Sequence, residues 1–288
     1  MQLRPLVFAL LALAPATLPA LADVVIRLRD GTVHRVPVNP RDVAGIEFTT
    51  GAALAGIPAN AGQPWVITSE AAILRGDPRG WQRMPGESSW DVAVGADGSA
   101  WVLGSNRVPG GWGIWRFTGG NWVQIDGGAV SITVDSRGEP WVVNSDGRIY
   151  QRRGAQWREL PGRARDIGAG ADGSVWVVGT DNAAGGHSIY RWNGTEWAQI
   201  DGAAVRIAVG PDGNPWVVNA EGRIYRRQNN AWTELPGRAR DIAVGVGGTA
   251  WIIGAEPAQP GSRDGGVHYW NGSTWVRVEG GGIAVAVR

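Results

Sequence analysis

From about residue 57 the chain alternates short apolar runs with breaks rich in Gly, Asp, Asn and Pro, and the alternation recurs. A run such as DIAVG, RIAVG or SITVD leads into a turn, ADG or PDG. PWVVN or VWVVG follows, then a second turn or loop, then IYRR or IYRW, a third turn, and a closing W-x-E/Q-L/I. Val, Ile, Trp and Tyr fill the runs, so each unit predicts four short strands joined by hairpins. Asp-Gly and Asn-Gly offer the positive φ angles that two-residue hairpin turns need. Runs such as WVV do not alternate cleanly, which suits a sheet buried on both faces. No helical periodicity follows the N-terminal stretch.

Two tryptophan series fix the period. Trp65, Trp101, Trp141, Trp176, Trp216 and Trp251 follow the first turn of each unit, at spacings of 36, 40, 35, 40 and 35. Trp81, Trp122, Trp157, Trp197, Trp232 and Trp275 mark the unit ends. Six units of about 37 residues, alternately long and short, give a larger period of about 75. A four-stranded antiparallel sheet repeated at this period predicts an all-β fold, a six-bladed β-propeller. The last unit ends near Glu279, yet GGGIAVAVR continues and copies the first strand of a unit. The first unit, starting near ANAGQPWVIT, lacks such a strand. Ile283–Val287 are therefore expected to supply the innermost strand of the first blade and to close the ring.

The units carry VGxDGxxWVV, IYRW, NGTEW and an Asp or Pro before the closing Gly. In these motifs the chain resembles the tectonin β-propeller family, which includes tachylectin-type and fungal tectonin lectins. The resemblance spans about residues 57–288. It implies a six-bladed propeller and non-catalytic recognition of glycans, among them bacterial lipopolysaccharide and methylated sugars. Propellers host many functions, so the fold does not choose among them.

Before the repeats, Arg4, the apolar LVFALLALAPATL and ALA at 20–22 form a cleavable export signal, residues 1–22 with cleavage after Ala22. Its apolar run is too short to span a bilayer and no later stretch is apolar enough, so a secreted or periplasmic, soluble product is expected. Residues 23–50 contain VVIRLRDGTVHRVPV, a hairpin by alternation and its Asp-Gly turn, and read as a cap or extra edge strands outside a propeller of residues 51–288.

Composition narrows the chemistry. With 27 basic and 26 acidic residues the net charge is +1, and no basic run suits a nucleic-acid partner. The chain has no cysteine, which excludes disulfides, thiol catalysis and Cys-based zinc sites. The histidines are His34, His187 and His268, too few for a His-based metal centre or triad. Neither an enzyme, nor a cofactor, nor a metal is expected. GAGADG at 168–173 matches GxGxxG, but a strand follows where a dinucleotide site needs a helix; it reads as a hairpin turn. Asp97, Asp172 and Asp212 sit in Asp-Gly turns that have backbone reasons of their own. The Asn-Gly turns at 193 and 271 match glycosylation sequons, and the turn suffices to explain them.

Two sets of residues remain as ligand candidates. The long loops of units two, four and six bring Asn106, Arg107, Trp112, Asp181, Asn182, His187, Arg263, Asp264 and His268 to one rim, as binding loops or as plain solvent loops. Arg148, Arg152, Arg153, Arg223, Arg226 and Arg227 flank the IY strands, with Arg163, Arg165, Arg238 and Arg240 in the GRARD junctions. Guanidinium forks suit the phosphates and carboxylates of lipopolysaccharide; the alternative is pairing with Asp166, Asp241, Glu159 and Glu234. The expected function is carbohydrate binding by several repeated sites, three from the 75-residue period. The alternative is a periplasmic or cell-surface protein-interaction scaffold without glycan specificity.

Overall fold

A computed structural model describes residues 22–27, 33–38, 57–58, 61–77 and 80–288. The chain divides into two compact units, residues 1–50 and 51–288. In the first, β1 (Ala22–Arg27) and β2 (Val33–Val38) pair antiparallel, with Val25 opposite Arg35. The export signal, apart from Ala22, and the Asp-Gly turn of this hairpin lie outside the described residues.

The second unit is all β. Its first stretch contains β3 (Pro64–Ile67), β4 (Ala72–Asp77), β5 (Gly80–Val94), β6 (Ala100–Val108), β7 (Gly111–Thr118) and β8 (Asn121–Ala129). Next come β9 (Ser131–Val134), β10 (Pro140–Val143), β11 (Arg148–Arg153), β12 (Gln156–Ala169), β13 (Val175–Ala183), β14 (Gly186–Trp192) and β15 (Trp197–Ala204). The third stretch holds β16 (Arg206–Val209), β17 (Pro215–Val218), β18 (Arg223–Gln228), β19 (Ala231–Val244), β20 (Ala250–Pro257), β21 (Gly265–Trp270) and β22 (Trp275–Gly282), and β23 (Ala284–Val287) ends the chain.

Hydrogen bonding arranges these strands as three seven-stranded sheets, ordered β23-β3-β4-β5-β6-β7-β8, β9 to β15, and β16 to β22. This differs from the expected six separate four-stranded sheets, and the reason is local. At three unit junctions the chain passes on without a break, so β5, β12 and β19 each serve as outer strand of one unit and inner strand of the next. A β-bulge marks each passage, between Ser88 and Asp91, Ala164 and Asp166, and Ala239 and Asp241. At the other three junctions Val130, Val205 and Ile283 bend the chain and end the ladder. Every unit still contributes four antiparallel strands. β23 pairs with β3, Val285 opposite Val66, in the register that β9 keeps with β10 and β16 with β17.

Glycine, not aspartate, makes the predicted turns. In the first Asp-Gly turn of the repeats Gly98 is left-handed (φ 84°), while no Asp among the described residues has positive φ. Gly98 N donates to Gly95 O and Gly95 N to Ser99 O. The loop is therefore longer than the two-residue hairpin expected. Asp97 Oδ1 accepts from Ser99 N and Oγ at 3.0 and 2.7 Å, which gives that acid a turn-forming role.

The core is divided among the unit junctions. Six buried clusters each draw on two successive units; Trp141, Val143 and Ile149 meet Ile167, Val175 and Val177, for example. The cluster that joins Val66 and Val285 to Trp251, Val267 and Val278 brings the last unit onto the first. The closing tryptophans reinforce the same junctions. Trp122, Trp157, Trp197, Trp232 and Trp275 each donate Nε1–H to a backbone carbonyl of the preceding unit, at 2.7–2.8 Å. Trp81 of the first unit donates to Glu279 O of the last, at 2.6 Å. Each indole lies on a left-handed glycine beside its acceptor: Gly86, Gly127, Gly162, Gly202, Gly237 and Gly280.

Two stability outcomes follow. Deleting Ile283–Arg288 removes β23 and part of the cluster between the last and first units, so the melting temperature should fall steeply; an unchanged value would refute the role given to β23. Gly202 has φ +101°, and a Cβ there would stand 2.9 Å from Trp232 Nε1, whereas Gly120 (φ +86°) has open space. By chemical denaturation Gly202→Ala should cost more than Gly120→Ala, which bears only the backbone strain of ~1–3 kcal/mol.

Candidate functional site

The long loops of units two, four and six do not stand free. Gly110 O accepts from Ser145 N and Gly185 O from Ala220 N, so each of these loops rests on the short turn of the next unit. In unit six the carboxylate of Asp264 takes that part, accepting from Ser69 N at 2.6 Å. Asp264 is thus a structural tie. The three loops lie at corresponding ends of their sheets but remain separate groups. No contact among the described residues joins one loop to another.

Within each group the predicted residues divide. Asn106 Oδ1 accepts from Trp115 Nε1 at 3.0 Å, and Asp181 Oδ2 from the Tyr190 hydroxyl at 2.7 Å. That bond raises the Tyr190 pKa, with burial adding to it. Both pairs brace a single unit. Asn182 faces His187 across the ladder, and His187 Nδ1 is buried without a partner. Arg263 exposes its side chain while its carbonyl accepts from Arg240 Nη1 at 2.9 Å. His268 does not belong with Trp112 and His187, as the loop reading had placed it. It stands opposite Ile252, the slot that Trp115 and Tyr190 fill in units two and four. Burial lowers its pKa, the Gly266 carbonyl at 3.0 Å opposes this, and Arg277 adds to the lowering.

Unit two differs from the rest. Arg107 lies opposite Trp112, its guanidinium carbon 3.7 Å from the ring centroid. Trp112 in turn meets Trp90 at 5.8 Å with the planes tilted 32°. Trp90 is 48% exposed, and its Nε1–H donates to Val130 O at 2.6 Å. The sequence reading missed Trp90 because it lies in no repeated tryptophan slot and in no long loop. It occupies the bulge at the β5 junction, where units four and six carry Arg165 and Arg240. Bulges redirect side chains, and here one turns an indole outward.

The second arginine set is largely paired within the framework. Arg148 meets Glu159 at 3.5 Å and Arg223 meets Glu234 at 3.6 Å. Arg152 and Arg227 lie over Trp157 and Trp232 and pair with Asp126 and Asp201 at 2.9 and 2.7 Å. Arg226 covers Trp216 and stands 3.8 Å from Asp212. Arg153 is exposed, opposite Gln156. Arg163 and Arg238 bond to the carbonyls of Asp146 and Glu221. These contacts support pairing, and they leave few of these guanidiniums free for an anion.

A further polar group went unrecognised as a unit: Asp91, Asp166 and Asp241, spaced 75 residues apart, each following a bulge. Asp91 Oδ2 accepts from Ile132 N, Asp166 Oδ2 from Ile207 N and Asp241 Oδ2 from Val285 N, at 3.0, 2.8 and 2.8 Å. Each carboxylate therefore locks the inner strand of the next unit. Ser131 Oγ donates to Asp166 at 2.8 Å and Arg206 Nε stands 3.4 Å from Asp241. The three acids raise the Arg206 pKa, Asp166 most. Burial raises Asp91 well above the carboxylate range, with Asp241 and Asp166 adding to it. Burial also pushes Asp241 up to about 6, against the pull of Arg206 and the Val285 N–H. Among the described residues no His, Cys, Asp and Glu cluster suits a metal. The exact 75-residue recurrence of Asp in the dipeptides WD or RD was the signal available in the sequence.

The repeat and its junctions together define an all-β fold of the β-propeller type. The Tectonin domain model matches residues 53–150, 129–216 and 182–280, so the chain belongs to the tectonin family. Tectonin-2 of Physarum polycephalum is 38% identical over 86 residues, 30% of this chain, and the match spans only 23% of that protein's length. Among solved structures, the WD40 β-propeller domain of Doa1 superposes with a TM-score of 0.53 at 12% identity, covering 81% of this chain and 83% of that one. YCF48 bound to D1 peptide gives 0.47 at 17% identity, covering 81% and 82%. No helix among the described residues is long and apolar enough to cross a membrane.

The raised Asp241 pKa sets a pH dependence. The folded state holds this proton more tightly than the unfolded state does, so the Asp241 contribution to stability falls as pH rises from ~4 to ~6 and stays low above. Asp241→Asn should flatten that slope, a change of order 1–3 kcal/mol between pH 4 and 7 in urea titrations. An identical slope in the variant would show that Asp241 does not titrate there.

Proposed function

We propose that this chain is an exported, non-catalytic carbohydrate-binding propeller of six four-stranded blades closed by β23, and that it recognises bacterial surface glycan or lipopolysaccharide. The junction that joins Trp81 to Glu279 repeats the other five, which supports six equivalent blades. The apolar run at residues 6–18 and the ALA at 20–22 support export.

The observation that carries the glycan reading is the exposed indole of Trp90 beside Trp112 and Arg107, at a position where the sister units have no aromatic. Sugar C–H faces stack on indole rings, and a rigid sheet holding such a ring lowers the entropic cost of binding. The test is a glycan array joined to a lipopolysaccharide titration of the full chain. Micromolar to millimolar binding of defined glycans is expected. Absence of binding at high micromolar protein, together with capture of a protein partner by the same face, would replace this function by that of an interaction scaffold.

A further inference from the structure

Fifteen of the 17 tryptophans have a framework role. Twelve occupy the two repeated slots. Trp115 bonds to Asn106, and Trp192 and Trp270 stack on Trp197 and Trp275 at 4.9 and 5.1 Å. Trp90 and Trp112 remain, and they touch each other. Neither occupies a repeated slot, although Trp90 bonds to Val130 at the bend between units two and three and Trp112 is packed against a buried cluster.

Their surroundings are those of a recognition site. The Val130 carbonyl fixes the Trp90 indole, yet the residue remains exposed. Trp112 Nε1 is buried and has no acceptor among the described residues, a condition that calls for an explanation. Arg107 is exposed and held flat on Trp112. Among the described residues it has no carboxylate partner, unlike Arg148, Arg152, Arg223 and Arg227. The same loop continues into Val108 and Pro109, which with Gln124–Gly127 line a cleft of about 500 Å³. A stacking surface and an oriented, uncommitted guanidinium thus lie side by side.

The sister positions lack the exposed indole and the stacked guanidinium, although His187 Nδ1 of unit four, like Trp112 Nε1, is buried without a partner among the described residues. In unit four Arg165, Asn182 and His187 stand where unit two has Trp90, Arg107 and Trp112. In unit six Arg240 is committed to the carbonyls of Ala255 and Arg263, and Gly265 takes the place of Trp112. We infer that the chain has one sugar site on this rim, not three, built by Trp90, Trp112 and Arg107 of unit two, and that it takes a sugar ring bearing an anionic substituent. Trp90 stacks on the C–H face of the ring. Arg107 receives the carboxylate or phosphate with its planar donor fork. This rests on the carbohydrate-binding reading and narrows it.

The test is calorimetric titration of the full chain with four probes: a uronic acid oligosaccharide, the same oligosaccharide with its carboxyls reduced to alcohols, a hexose 6-phosphate, and sodium acetate. The uronate should bind with one site per chain and at least tenfold more tightly than its reduced form. Acetate should not compete at equal concentration, and the hexose phosphate shows whether phosphate substitutes for carboxylate. Trp90→Ala and Arg107→Gln should each weaken uronate binding at least tenfold with little change in melting temperature, while His187→Ala and Asp181→Asn leave it unchanged. Raising the salt concentration should weaken binding in the wild type and less so in Arg107→Gln. Three sites per chain, equal affinity for the reduced oligosaccharide, or full binding by both variants would each overturn the inference. If glycans on the array bind and persist in the Trp90→Ala, Arg107→Gln double variant, carbohydrate binding stands and this site falls. If the wild type binds no glycan, both fall.

Discussion

The structure depends on one repeated joint: an indole N–H of each unit donated to a carbonyl of the unit before it, over a left-handed glycine. Glycine is needed there because the peptide turns its carbonyl toward the indole at a positive φ, and because a Cβ would enter the ring's space. At Gly202 that Cβ would lie 2.9 Å from Trp232 Nε1. The joint sets the spacing between units and covers the edge of the buried cluster behind it. Trp81 makes it with Glu279 across 198 residues, from the first unit to the last. A single local geometry thus links residues adjacent in sequence and residues at opposite ends of the repeat.

Within that frame the alternation of long and short units has a mechanical reason. A long loop lies over the short turn that follows it, so Gly110, Gly185 and Asp264 anchor to Ser145, Ala220 and Ser69. The three inner aspartates follow the same rhythm. Each sits after a bulge, and its carboxylate accepts a backbone N–H of the next inner strand, which satisfies a donor that burial would otherwise leave costly. Their shared burial raises the Asp91 and Asp241 pKa values, and Arg206 supplies the one nearby cation.

The proposed recognition site, by contrast, lies where the repeat is broken. Arg165 and Arg240 at the bulges of units four and six give way to Trp90 in unit two, and the bulge that serves the framework elsewhere there displays an aromatic face. Asn106, Asp181 and Asp264 lie in the long loops because the loops need internal braces. Arg107 and Trp112 pair with each other there, and Trp112 also packs against a buried cluster.

The sequence by itself determined the repeat, its strands and the kinship with tectonins, because hydrophobic alternation and turn glycines are local properties that recur at a fixed spacing. It also contained the Asp91, Asp166, Asp241 series and the departure at Trp90, each as a visible but unweighted letter. Only the tertiary structure decided that three long strands merge the sheets in pairs, since whether a ladder runs on through a junction or ends there depends on how the next unit packs against it. Tertiary structure also decided which arginines are occupied, because Arg227 and Asp201 are far apart in the chain and meet only across a unit junction. Exposure of Trp90 was settled in the same way: whether an indole fills a core or faces solvent depends on the direction a bulge gives it, and direction is a property of the packed sheet.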